Sequence, residues 1–242
     1  MKLSINKLIY ISLFPLIALS GCNDNDPSPM VVEEVVVPEP EPVVYSYEVT
    51  VSNLTYGQPL SPVAVILHDE GNFWQIGESA SVALETLAES GDNTSFLAED
   101  QVLSGQSGTG VIMPGMSETV EISLTDNQPD FISIATMLVN TNDAFSGVNA
   151  MNLTNLQVGE SISLTTRSYD AGTEKNSELV ATIPGPASSG AGEGFNEMRD
   201  DLDMVGMHAG VVSVDDGLST SVLTQAHKFD NPTVHITINR LN

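Results

Sequence analysis

Residues 45–51 read YSYEVTV. Tyr45, Tyr47, Val49 and Val51 alternate with polar residues, the period-two pattern of a strand with one face on a core and the other in water. The closing stretch, residues 233–240 (TVHITINR), repeats the pattern, with Val234, Ile236 and Ile238 on one face. Between them, Val63–Leu67, Thr119–Leu124, Phe131–Val139 and Ser161–Thr166 read as further strands, and Val111–Met113 as the start of another. Clusters of Gly, Asn, Asp and Pro separate these segments. The spacing predicts an all-β fold, an antiparallel β-sandwich with one or two short helices in the connections. Ser79–Ser90 brings Val82, Ala83, Leu84 and Leu87 near one helical face and stops at Gly91. Phe195–Val205 places Phe195, Met198, Leu202 and Val205 at helical spacing, after a flexible loop at 185–194 (GPASSGAGEG). Both faces read as packing surfaces rather than ligand sites.

Working outward, the chain changes character before Tyr45. Residues 23–44 hold five prolines, six acids and no basic residue, the composition of an extended tether. Ahead of it, Lys2 and Lys7 precede an apolar stretch from Leu8 to Leu19, too short to span a bilayer about 30 Å thick. The stretch ends in Leu19-Ser20-Gly21-Cys22 and resembles a bacterial lipoprotein signal, in which the cysteine is lipidated and becomes residue one. The expected organisation is a signal peptide over 1–21, a lipidated Cys22 with an acidic tether over 22–44, and one domain over 45–242. Asn23, by resemblance to lipoprotein sorting rules, directs the chain to the outer membrane, with the domain in the periplasm or at the cell surface.

The chain has 242 residues, 32 acidic and 7 basic, for a net charge of −25. Such a balance excludes a nucleic-acid partner, which needs clustered Lys and Arg, and disfavours docking on anionic lipid. Membrane association therefore rests on the lipid at Cys22. Hydrophobic residues make up 41% of the chain, enough for a core built from Val, Ile and Leu, since aromatics are only 5%. Cys22 is the only cysteine, which rules out an intramolecular disulfide and a cysteine zinc site.

The search for catalytic patterns is mostly negative. There is no HExxH, no GxSxG and no GxGxxG. His68 stands beside Asp69, the one pairing that suggests acid–base work, although adjacent residues point in different directions. Calcium asks for less stringent spacing: several hard oxygens on loops. Two segments at strand ends supply them, Asn140-Thr-Asn-Asp-Ala-Phe-Ser-Gly147 and Ser168-Tyr-Asp-Ala-Gly-Thr-Glu174.

These strings, together with Tyr47–Thr55 (YEVTVSNLT), Ser61-Pro62, His68-Asp69, Gly77-Glu-Ser-Ala-Ser81, Leu87-Ala-Glu-Ser-Gly91 and the strand Val234–Arg240, occur in an order that resembles the spondin N-terminal domain. The resemblance implies a β-sandwich related to calcium-dependent lipid-binding sandwiches and a bound Ca²⁺. It implies carboxylate ligands at Glu121, Asp143 and Asp170, with Glu118, Asp126 and Asp130 as rivals for the first. Asn-Thr-Asn stands here where the family has Pro-Ser-Pro, and Ala144 where it has tryptophan, so partners of the animal members are not carried over. The implied function is a non-catalytic adhesion or binding module with a protein or glycan ligand, to which the loop Asn72-Phe-Trp-Gln75 is a candidate contact. The alternative is an envelope hydrolase using His68 and Asp69, or a metal-assisted enzyme.

Overall fold

The computed structural model describes residues 39–242; the expected signal peptide, the expected lipidation site at Cys22 and most of the expected tether lie outside them. Ten strands and one helix follow in order: β1 (Val44–Asn53), β2 (Ala64–His68), α1 (Val82–Ser90), β3 (Ser104–Ser107), β4 (Ser117–Thr125), β5 (Phe131–Met137), β6 (Ala144–Asn152), β7 (Ser161–Thr166), β8 (Ser168–Asp170), β9 (Gly206–Met207) and β10 (Val234–Arg240). They form two antiparallel sheets, β4-β1-β10-β7 and β3-β2-β5-β6-β8-β9. The expected sandwich is present.

The first and last strands pair at the centre of the smaller sheet. Val49 lies opposite Ile238 and Val120, so the alternating apolar residues of three strands meet on one face. That face packs on Val65, Leu67, Ile132 and Ile134 of the larger sheet to form the main core. All five residues of β2 are buried, because its other face, Ala64 and Ile66, packs beneath α1 against Leu84, Leu87, Phe96 and Phe145. A strand covered on both sides reads as a continuous apolar run, as Val63–Leu67 does.

α1 starts where Ser81 Oγ accepts the Leu84 amide at 3.1 Å. It ends at Gly91, whose φ of 73° closes the last turn in the left-handed region. The expected second helix is not formed. Phe195–Val205 runs without helical structure, and its amides are used elsewhere: Asn196 donates to Glu89 Oε2, Asp200 to the Thr173 carbonyl, Asp203 to that of Gly172 and Val205 to that of Glu78. Of its four apolar residues only Val205 is buried; Met198 and Leu202 stand in solvent. At Val111–Met113 the structure has an isolated bridge at Ile112 rather than a strand. No helix among the described residues is long and apolar enough to cross a membrane.

Candidate functional site

The turn between β5 and β6 is a self-bonded unit. Thr141 Oγ1 donates to the Leu138 carbonyl at 2.6 Å and accepts the Ala144 amide at 3.1 Å. Gln58 braces the same turn through Asn140, whose amide donates to its Oε1 at 3.0 Å. This framework delivers Asp143 to the start of β6 with no solvent exposure. Its Oδ2 accepts the amides of Thr173 and Glu174 at 2.9 and 3.1 Å, whereas Oδ1 is buried without any partner. The neighbouring Asn142 repeats the asymmetry: Nδ2 donates to the Glu174 carbonyl at 2.9 Å, and Oδ1 is a buried acceptor without a donor.

β8 pairs with β6 so that Asp170 lies opposite Ala144, one residue from Asp143. Asp170 Oδ1 accepts the Gly172 amide at 2.8 Å and Oδ2 accepts Asn176 Nδ2 at 2.7 Å. Gly172 is needed there, because its φ is +73° and a side chain would overlap the Met204 backbone.

α1 supplies a third carboxylate. Glu85 and Glu89, one helical turn apart, are both buried on its inner face. Arg199 clasps Glu85, with Nη2 at 2.6 Å from Oε2 and Nε at 3.2 Å from Oε1. Among the described residues no basic side chain bonds Glu89, and Arg199 acts on it only through its charge. Its Oε2 takes the Asn196 amide at 2.9 Å and its Oε1 is buried and unpartnered. The Thr173 hydroxyl donates to Asp143 Oδ2 at 3.3 Å.

The electrostatics follow from this crowding. Burial, and then the Asp170 charge, push Asp143 up to about 7 against the pull of the Glu174 and Thr173 amides. Burial raises Glu89 as well. Glu174 is driven to about 8, first by burial and then by the charges of Glu89 and Asp143. The result is a buried acidic cluster in which no carboxylate is paired with a basic side chain among the described residues.

Of the residues expected from sequence, Asp143 and Asp170 are brought together and Glu121 is not. Glu121 is exposed on β4 opposite Glu48, on the outer face of the other sheet. The reason is the strand period: Val120 and Ile122 point into the core, so Glu121 must point out. The rivals do not replace it. Glu118 holds the Thr109 amide and hydroxyl, Asp126 caps the Val43 amide and Asp130 is exposed. The third carboxylate beside Asp143 is that of Glu89. The signal for it was in the string Leu87-Ala-Glu-Ser-Gly91, where an acid falls on the apolar side of a helix.

His68 does not form a dyad with Asp69. Its Nδ1 is 2.9 Å from the Glu70 carbonyl and its Nε2 2.9 Å from Ser133 Oγ, with Phe73 and Phe131 against the ring. Asp69 turns away to Asn127 and the Asp130 amide. Trp74 is buried against Phe145 and Tyr169, so the 72–75 loop does not present its aromatics outward.

The family model described as Spondin_N matches residues 55–183, more than half of the chain. The chain belongs to the spondin N-terminal domain family. No curated protein matches it. The spondin match spans α1, the β5–β6 turn and the Asp170–Glu174 loop, so every acid of the cluster falls within it. The family is generally non-catalytic, and this domain is a binding or adhesion type of module.

Among the described residues no three His, Cys, Asp or Glu side chains converge tightly enough to hold a metal by themselves. The free acceptors at this spondin site, Asp143 Oδ1, Asn142 Oδ1 and Glu89 Oε1, are all hard oxygens and include a neutral amide. A large cation with a flexible oxygen shell takes such a set.

Proposed function

We propose that this protein is a lipid-anchored binding module of the bacterial outer membrane whose spondin domain is stiffened by Ca²⁺ held by Asp143, Asn142 and Glu89 with water, beside the charge of Asp170. One observation carries the reading: a fully buried carboxylate, Asp143, has one oxygen without a donor and two further carboxylates beside it. An uncompensated buried charge is unstable unless it is protonated or paired. Calcium would neutralise the cluster and tie α1 to the β5–β6 and β8 loops, stabilising the folded state by mass action.

The anchor reading rests on Cys22 behind its apolar leader, and the adhesion role on the family and the long acidic tether. The partner would be a protein or glycan outside the cell membrane. Calorimetric titration of the full chain in detergent with CaCl₂ tests the metal. Wild type should bind and Asp143→Asn should not; equal heats from the two would remove the site. Incorporation of radiolabelled fatty acid into wild type, and its absence from Cys22→Ala, tests the anchor.

A further inference from the structure

Beside the cluster lies a cavity of about 250 Å³ whose lining includes Glu174, Glu193, Asp200, Leu179 and Met198. Glu174 is the buried acid of that lining. The residue is only 5% exposed, and its backbone is fixed on both sides, the amide by Asp143 Oδ2 and the carbonyl by Asn142. Its carboxylate accepts no hydrogen bond from any described residue, and it lines the hollow, so its oxygens face whatever fills that space. Glu193 and Asp200 stand exposed at the mouth. There Lys175 Nζ lies 3.6 Å from Asp200 Oδ2, an ammonium of the chain itself that serves the outer acid and leaves the inner one unpaired.

The dimensions select the ligand. A water in the liquid takes about 30 Å³, so the hollow holds an object of several heavy atoms rather than a bare ion. Leu179 and Met198 offer an apolar wall between the inner and outer carboxylates. A molecule with a charged donor at its tip and a methylene stem meets both needs. We infer that this cavity binds a primary ammonium on an alkyl chain of lysine length, with Glu174 as the receptor for the charged end and Leu179 and Met198 against the stem. The inference does not depend on calcium at Asp143. A lysyl side chain of a partner protein and a free aliphatic diamine share this chemistry.

The test is calorimetric titration of the full chain with 1,5-diaminopentane and, separately, with Nα-acetyl-lysine N-methylamide, in EDTA and at about 0.15 M salt, which screens the diffuse surface charge. Saturable binding of either is expected, and the tighter of the two identifies the source. Glu174→Gln should weaken binding by at least about tenfold, while Glu48→Gln, the same charge change on the other sheet, should leave it within about twofold. Leu179→Lys, at a position 39% exposed, should block the cavity and abolish binding even if Glu174→Gln folds poorly. The inference is overturned by no binding at millimolar ligand, by unchanged affinity in Glu174→Gln or Leu179→Lys, or by stoichiometric displacement of the diamine by calcium.

Discussion

Glu85 and Glu89 sit one turn apart on the same face of the same helix, with 2% and 1% of their surfaces exposed, and are treated in opposite ways. Glu85 is clasped by Arg199 through two nitrogens, and the same guanidinium donates to the Ala80 carbonyl at 3.0 Å and pairs with Asp203. Glu89 points toward Asp143 and Glu174 and receives no cation. In a chain with 32 acids and only 7 basic residues, internal neutralisation is scarce. Where it is provided, the acid is a structural strut linking α1 to the 195–205 segment. Where it is withheld, the acids bond no basic residue among the described ones and their pKa values rise. The local rule that buried charges are neutralised is met at the first place by Arg199, and at the second by a proton, held up to about 7 at Asp143 and about 8 at Glu174, or by an external cation.

Breaking the strut should give the largest effect. Arg199→Met leaves the Glu85 carboxylate buried and unpaired, and urea unfolding should show a loss of about 3 kcal/mol, the lower end of the buried-pair range because the guanidinium is partly exposed. A loss under about 1 kcal/mol would mean that Glu85 is as free of partners as Glu89. Replacing both Glu85 and Arg199 with apolar residues should recover most of that stability.

The unpaired side should respond to pH with the opposite sign from an ordinary ion pair. Asp143 and Glu174 are raised to about 7 and about 8 in the folded chain. Between about pH 4 and those values the unfolded chain has released the protons while the folded chain keeps them, so stability falls as pH rises. Below about pH 4 both states are protonated and the slope vanishes. In EDTA, the melting temperature of wild type should therefore decline from pH 5 to pH 8. Asp143→Asn should flatten part of the slope, and a wild type that grows more stable over that interval would contradict the assignment. The smallest effect belongs to Glu121→Gln, which touches only solvent and the strand facing Glu48. It should change stability by no more than about 0.5 kcal/mol and leave calcium binding untouched.

How far the sequence spoke for itself depended on local period. β1, β4 and β10 alternate cleanly, and the smaller sheet follows from them almost residue by residue; β1 begins at Val44, one position before the expected boundary. Ser81 and Gly91 marked the helix ends because caps are local chemistry. β6 and β8 were not legible as strands. Ala144–Asn152 is interrupted by Gly147, Asn149 and Asn152, and its pairing with β5 contains a register shift. Phe195–Val205 carries helical spacing, yet its backbone is held by Glu89, Thr173, Gly172 and Glu78, partners distant in sequence that no window can reveal. The candidate site divides the same way. Asp143 and Asp170 lie in distinctive loop strings. Glu89 lies in a helix whose apolar residues suggested packing alone, and only the fold shows that its carboxylate is aimed at Asp143.

The central claim is that the Glu89 side of α1 is built for a cation that the chain does not supply. Urea unfolding of wild type and Glu89→Gln, each in EDTA and in excess calcium, tests it most directly. Without calcium, Glu89→Gln should be the more stable protein by about 1 kcal/mol, because it removes a buried, unpaired charge. With calcium at about 100 times its dissociation constant, wild type should gain about 2.7 kcal/mol and overtake the variant. If the two proteins keep the same order in both conditions, with calcium moving neither, the cluster is not a cation site.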